Sequence, residues 1–349
     1  MPVVWTDQHR SHEPGGEVWV GVRTAGTEVP ARADAIRAAL ESAGARLVDA
    51  EPHSDEPLLD VHSEELVAFL RGAWAAWATA GLPDDPGADR VVPYVFPHPG
   101  LLAGLPVREP AAVWARPGAY CFDTMTLVGP GTWEAARAAV DAALTAVDLV
   151  AGGAPAAYAC CRPPGHHVTR TAYGGSCYLN NAAVAAQALR DGGATRVAVL
   201  DVDAHHGNGA QAIFSSRDDV RTASVHVDPA AGWFPHYVGF ADESDDSNLN
   251  VPLAPGSGDA AWLAAVQELA AFAQADALVV ALGVDAAATD PESPLRVSGS
   301  GFRIAGQILG GLALPTVLVQ EGGYDLASIG ELVREVLVGF EEGMGSGRE

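Results

Sequence analysis

The sequence predicts an α/β fold, a single domain built on a parallel sheet flanked by helices. Three observations carry that expectation. Short aliphatic runs of strand length alternate with amphipathic stretches of helical length over the second half of the chain. The run R-V-A-V-L at residues 196–200 shows no polar alternation, as expected of a strand covered on both faces. No internal repeat or break in composition divides the 349 residues, so one domain is expected over 1–349, with flexible ends at about 1–16 and 343–349.

Taken in order, residues 17–24 (E-V-W-V-G-V-R-T) read as a first strand. Helical spacing follows at 30–42 and 63–80, the second opened by Ser63 as N-cap with Glu65 in its first turn. Residues 82–89 form a Pro/Gly/Asp linker. The proline-rich stretch 91–117 has no sustained period and reads as a long loop, a length that usually serves function. An Ala-rich helix is expected at 132–150, capped by Thr132 and carrying Glu134 in its first turn. Strands are then expected at 156–160, 196–201, 222–227, 277–282 and 316–320. Helices near 181–190, 259–274, 302–312 and 327–342 separate or close them.

Composition narrows the function. The net charge is −24, from 44 acidic and 20 basic residues, and every basic residue is Arg. That balance argues against nucleic-acid binding, which requires a basic face, and favours encounter with cationic molecules. No apolar run approaches the ~20 residues of a membrane span. Residues 1–15 are polar and hold no signal-peptide core, so a cytoplasmic protein is expected. The cysteines, Cys121, Cys160, Cys161 and Cys177, form no CxxC pair, which excludes a disulfide framework and a cysteine-rich zinc site.

Polar clusters recur where successive strands end: Arg162–His167 (R-P-P-G-H-H), Asp201–Gly209 (D-V-D-A-H-H-G-N-G), Ser224-Val225-His226, Gly283-Val284-Asp285 with Asp290-Pro291, and Gln320–Tyr324 (Q-E-G-G-Y). In open α/β sheets, ligands bind beyond the carboxyl ends of the strands. Asp203 and His205, two apart, project to one side of an extended backbone. With Asp285 they offer one nitrogen and two carboxylates and leave a position open, the pattern of a catalytic zinc site. His166 and His167 supply a base and an acid. Asp201 and Asn208 are candidates to orient those imidazoles, and Tyr324 to donate to a developing oxyanion. The set suits hydrolysis of an amide.

These motifs resemble the zinc-dependent histone deacetylase superfamily. N-N-A-A-V-A-A-Q (180–187), F-P-H-Y-V-G-F-A-D-E (234–243) and G-T-W-E-A-A (131–136) are nearer its bacterial branch, the acetylpolyamine amidohydrolases. The resemblance covers roughly residues 20–340 and implies the arginase–deacetylase fold. It implies one Zn2+ on Asp203, His205 and Asp285, with His166, His167 and Tyr324 catalytic. It also implies a structural K+ held by Asp201, Asp203, His205, Ser224 and the backbone of Val225. A homodimer is implied too, with the 91–117 loop building the mouth of the site. The substrate would be a small cationic acylated amine, such as an acetylpolyamine, or an acyl-lysine, reached through a tunnel that includes Gly175, Ser176 and Phe234.

The chain departs from that pattern in two places. Where polyamine-specific members carry mouth acids, Trp114 and Thr124 stand here, with Asp123 alongside. Ser176 replaces an aromatic tunnel wall, which predicts a wider, more polar channel unless Trp233 or Trp114 refills the space. The rival readings are a two-metal ureohydrolase of the arginase type and a non-catalytic binding protein on the same fold. The first needs acids where Gly207 and Ala287 stand; the second should have lost a ligand or the tyrosine, and all are present.

Overall fold

A computed structural model describes residues 1–82 and 89–346. Its strands are β1 (Pro2–Trp5), β2 (Glu17–Trp19), β3 (Val22–Thr24), β4 (Arg46–Asp49), β5 (Ala156–Ala159), β6 (Val197–Asp201), β7 (Val220–Val227), β8 (Asn248–Leu253), β9 (Ala277–Leu282) and β10 (Thr316–Gln320). Eight of them form one sheet in the order β4-β1-β5-β10-β9-β6-β7-β8, and every pairing in it is parallel.

The unbroken apolar runs follow from burial on both faces. Successive strand residues point to opposite sides, so Val279 and Ala281 of β9 enter one core while Leu278, Val280 and Leu282 enter the other. Helices Glu64–Ala78, Thr132–Ala151 and Asn181–Asp191 cover the first face. Helices Ala31–Ser42, Asp259–Ala273, Gly299–Gly310 and Ile329–Ser346 cover the second. Helix ends follow local chemistry where a side chain is free to cap: Ser63 Oγ accepts from the Leu66 N–H at 3.2 Å, and Asn180 Oδ1 from the Ala183 N–H at 2.9 Å. None of the described helices is long and apolar enough to cross a membrane.

Several expectations are corrected. Residues 17–24 are not a strand of the main sheet: Val20 and Gly21, at φ 50° and 78°, fold the run into a separate antiparallel hairpin, β2–β3. The amino terminus is not a loose end, because β1 pairs with both β4 and β5 and buries Val3, Val4 and Trp5. At the other end the last helix continues to Ser346 and buries Gly343 and Met344, while 347–349 lie outside the described residues. Thr132 does not cap its helix. Gly131 holds the cap position at φ 77°, and Thr132 Oγ1 accepts the Gly129 N–H and lies 3.0 Å from His12 Nδ1. Most of the 82–89 linker lies outside the described residues. The 91–117 stretch contains a helical turn at Pro99–Leu102 and a 3-10 turn at Val113–Ala115 and is otherwise irregular.

Candidate active site

Strands β5, β10, β9, β6 and β7 are neighbours in the sheet, so the polar clusters that follow their carboxyl ends meet in one crevice. Asp203 and His205 leave β6, and Asp285 leaves β9 beside it. His205 Nδ1 lies 2.9 Å from Asp285 Oδ2 and 3.2 Å from Asp203 Oδ1. One ligand atom from each of the three lies within 4.8 Å of the others, and both carboxylates are fully buried. Backbone donors aim them: the Ala204 N–H donates to Asp285 Oδ1 (2.8 Å) and the Gly322 N–H to Asp203 Oδ2 (2.7 Å). A Cβ at Gly283 or Gly322 would overlap those same carboxylates, so this close approach requires glycine.

Burial beside Asp203 pushes the Asp285 carboxyl up to about 8. Burial opposes a charged His205, yet hydrogen bonds to Asp203 and Asp285 outweigh it and hold the imidazole well above its ordinary pKa. Among the described residues no arginine pairs with either carboxylate. Two buried carboxylates and one imidazole nitrogen converging in this way fit a divalent cation of the zinc kind.

The tandem histidines follow β5 and lie against each other, their ring centroids 4.0 Å apart and their planes tilted by 41°. Their partners differ. His166 Nδ1 faces the Asp201 carboxylate at 2.9 Å, whereas His167 Nδ1 faces the amide oxygen of Asn208 at 2.7 Å. Burial disfavours charge on both. Asp201 and Asp203 overcome it and raise His166 to about 10; His167, beside His166 and His205, stays well below its ordinary value.

The residues of the expected K+ set are brought to adjoining positions of β6 and β7. Asp201 pairs in register with Ser224, Asp201 Oδ1 accepts the Asp203 N–H at 3.0 Å, and Ser224 Oγ accepts the Gly207 N–H at 3.3 Å. Val225 follows, buried, and His205 Nδ1 lies 3.2 Å from Asp203 Oδ1.

Four residues that the sequence leaves without a role bear on the site. Glu321 Oε2 accepts the Gly165 and His166 N–H groups at 2.7 and 3.1 Å, tying the histidine loop to the end of β10. Asp290 Oδ2 accepts the Tyr324 N–H at 2.7 Å. Arg32 lies 4.5 Å over the Tyr324 ring and donates to the carbonyls of Glu321 and Gly323. One signal for it was available: Arg32, Ile36 and Leu40 share the buried stripe of their helix, an odd place for an arginine. Burial raises the Tyr324 hydroxyl well above its ordinary pKa despite Arg32, so it stays a protonated donor.

The fourth is Phe122. The ring facing Phe234 is neither Trp233 nor Trp114 but Phe122, at a centroid distance of 6.4 Å. Gly175 donates its N–H to Asp123 Oδ2 at 2.6 Å, and Ser176 donates its own to Thr126 Oγ1 at 2.8 Å. Asp123 also accepts the Met125 and Thr126 N–H groups and the Thr126 hydroxyl. Turned inward by those bonds, it offers no acid to the mouth.

The ureohydrolase alternative fails on space: a Cβ at Gly207 would overlap Asp201 Oδ2, so no acid fits there. Ala287 is buried and bridges to Val297.

A histone deacetylase domain matches residues 26–340. The chain is 41% identical to acetylpolyamine amidohydrolase 1 of Pseudomonas aeruginosa, over 98% of this chain and 99% of that protein. It is 37% identical to the acetylpolyamine amidohydrolase of Mycoplana ramosa, over 97% and 99%. The crystal structure of an acetylpolyamine aminohydrolase from Burkholderia pseudomallei superposes with a TM-score of 0.90 at 38% identity, covering 98% of this chain and 99% of that one. The chain belongs to the histone deacetylase family.

Proposed function

We propose that this chain is a zinc-dependent amidohydrolase that removes the acetyl group from small cationic acylated amines, acetylpolyamines foremost. The observation that carries the reading is the convergence of Asp203, His205 and Asp285, one ligand atom from each lying within 4.8 Å of the others. The family is zinc-dependent, and relatives matching nearly the whole chain are named for acetylpolyamines. The net charge of −24 supports a cationic substrate.

Asp203, His205 and Asp285 would hold the ion, which supplies Lewis acidity, polarising the amide carbonyl and lowering the pKa of water toward about 7. His167, paired to a neutral amide, takes the proton of the attacking water. His166, paired to Asp201, keeps its proton and presents positive charge to the anionic centre. As the C–N bond breaks, the histidine pair returns the proton to the departing amine, leaving acetate and the free amine. Tyr324 donates its hydroxyl to the carbonyl oxygen as charge develops there. Asp201, Asp203, His205, Ser224 and the Val225 carbonyl would hold K+ beneath the site. Tyr94, Leu101, Leu105 and Val107, exposed apolar residues of the 91–117 loop, support a homodimer with that loop at its interface.

The test is acetate release by zinc-loaded protein from a panel of acetylated polyamines, acetyl-lysine peptides and small acetylated amines. The highest kcat/KM is expected on acetylpolyamines, with one divalent ion per chain by elemental analysis. Two ions per chain, with turnover of a guanidinium compound and none of an acetylated amine, would overturn the reading.

A further inference from the structure

A cavity of about 410 Å³, large enough for a small molecule, opens beside the Glu64–Ala78 helix, and no residue of the reaction centre lines it. Ala68, Gly72 and Ala76, four residues apart on one helix face, give it a floor of small side chains. That floor runs for about 12 Å at 1.5 Å of rise per residue. Phe69 and Tyr120 line the cavity as a stacked pair, their ring centroids 4.5 Å apart and their planes 20° from parallel. Trp77 and Val91 add buried apolar surface.

Gly72 is out of place for a residue with only a packing role. It lies inside a 15-residue helix, where glycine is disfavoured relative to alanine. At Gly283 and Gly322 a Cβ would overlap a carboxylate, so glycine is required there. At Gly72 a Cβ would meet nothing within 4 Å. The glycine widens a space that no described part of the chain enters.

The lining is also acidic. Its one basic residue, Arg116, is engaged: its Nε donates to the Pro110 carbonyl at 3.1 Å and lies 3.5 Å from Glu109 Oε1. Glu65 is exposed, and the lining holds no second arginine to pair with it. Burial raises the Tyr120 phenol above its ordinary pKa, and Glu109 and Glu65 add to that rise, so both carboxylates act on this ring. A carboxylate beside an aromatic face suits a cation, and the apolar floor suits an alkyl chain behind it.

We propose that this cavity is a second amine site, apart from the reaction centre, which takes a primary alkylammonium ion. The alkyl chain lies along Ala68, Gly72 and Ala76, and the ammonium group meets Glu65 and the face of Tyr120. The site does not depend on the hydrolase reading, because none of its residues is a metal ligand or one of the tandem histidines.

The test is calorimetric titration of zinc-loaded full-length protein with hexylammonium chloride, with n-hexanol and sodium hexanoate as the neutral and anionic controls. A cationic amine also suits the reaction centre, so the comparison rests on variants confined to the cavity. Gly72→Leu fills the space and replaces glycine with a strong helix former, so it should hold or raise the melting temperature while weakening hexylammonium binding roughly tenfold or more. Glu65→Gln, an exposed and conservative change, should weaken it about three- to fivefold, toward the affinity for n-hexanol. Both variants should keep the kcat of the parent on an acetylated amine. No binding by the parent, or an unchanged affinity in Gly72→Leu, would overturn the proposal; a changed sedimentation coefficient beside that unchanged affinity would assign the cavity to a second copy of the chain. Equal affinity for hexanoate and hexylammonium would overturn it too. Loss of turnover in the parent with the amine still bound at Gly72 removes the hydrolase reading and leaves this site standing.

Discussion

Two buried clusters of charge lie within a few residues of each other and solve the same problem in opposite ways. Around Glu28 the chain supplies every counter-charge. Glu28 Oε1 lies 2.9 Å from Arg32 Nη1 and 2.8 Å from Arg162 Nε, and Glu28 Oε2 lies 3.0 Å from Arg162 Nη2. The remaining guanidinium N–H groups go to the carbonyls of His9, His12, Glu321 and Gly323. Around Asp203, His205 and Asp285 the chain supplies two carboxylates and imidazoles, and among the described residues no arginine. The closed cluster holds backbone in place; the open one is shaped for a cation from outside. Burial and carboxylates alone therefore do not mark a functional site. The missing partner does.

The largest expected effect breaks the open cluster. Asp285→Ala should lose the bound divalent ion and at least about 10³-fold in kcat/KM while remaining folded. Elemental analysis beside circular dichroism checks it; a variant that retains full metal would remove Asp285 from the ligand set.

Breaking the closed cluster should act on stability instead. Glu28→Gln leaves Arg32 and Arg162 buried without their carboxylate, an expected loss of about 3–5 kcal/mol in unfolding free energy. Its pH dependence follows. Burial would raise the Glu28 carboxyl, but Arg162, His12 and Arg32 outweigh it and hold it well below the usual carboxylate range. A depressed folded pKa contributes stability above the unfolded value of about 4.3 and loses it as pH falls below that. Acid unfolding should consequently be shallower below about pH 4 in Glu28→Gln than in the parent. Denaturant titrations at pH 3 and pH 6 check it: an equal fall in unfolding free energy in variant and parent would show that Glu28 is not the linked group.

Tyr324 stands between the two clusters: Arg32 lies over its ring, and Gly322, two residues before it, donates its N–H to Asp203. Tyr324→Phe should lower kcat by roughly 10²–10³ with little change in KM, the scale of one lost oxyanion donor. A rise in KM at constant kcat would make it a binding residue only.

The smallest effect sharpens the contrast. In metal-stripped protein near pH 7 the Asp285 carboxyl, pushed up to about 8, is already mostly neutral, so Asp285→Asn should change stability by less than about 1 kcal/mol, whereas Glu28→Gln should destabilise it with or without metal. Thermal unfolding in chelator separates the two.

The sequence alone determined the parts of this protein whose signals are local. Unalternated runs such as Val197–Asp201 and Ala277–Leu282 specify strands buried on both faces. Polar residues crowded at their ends specify where chemistry collects, and Ser63 caps its helix because the partner N–H is three residues away. Tertiary structure decided whatever depends on partners far along the chain. Strand β1 is only four residues long and becomes a strand through β4 and β5. Thr132 leaves its cap because His12, 120 residues away, competes for its hydroxyl. Asp123 looks like a mouth acid until Gly175 turns it inward. Phe122 and Phe234, far apart in the chain, face each other only once it is folded. A period or a cap is written in adjacent residues, but whether a buried charge is closed or open depends on which distant side chains reach it, and only the folded chain decides that.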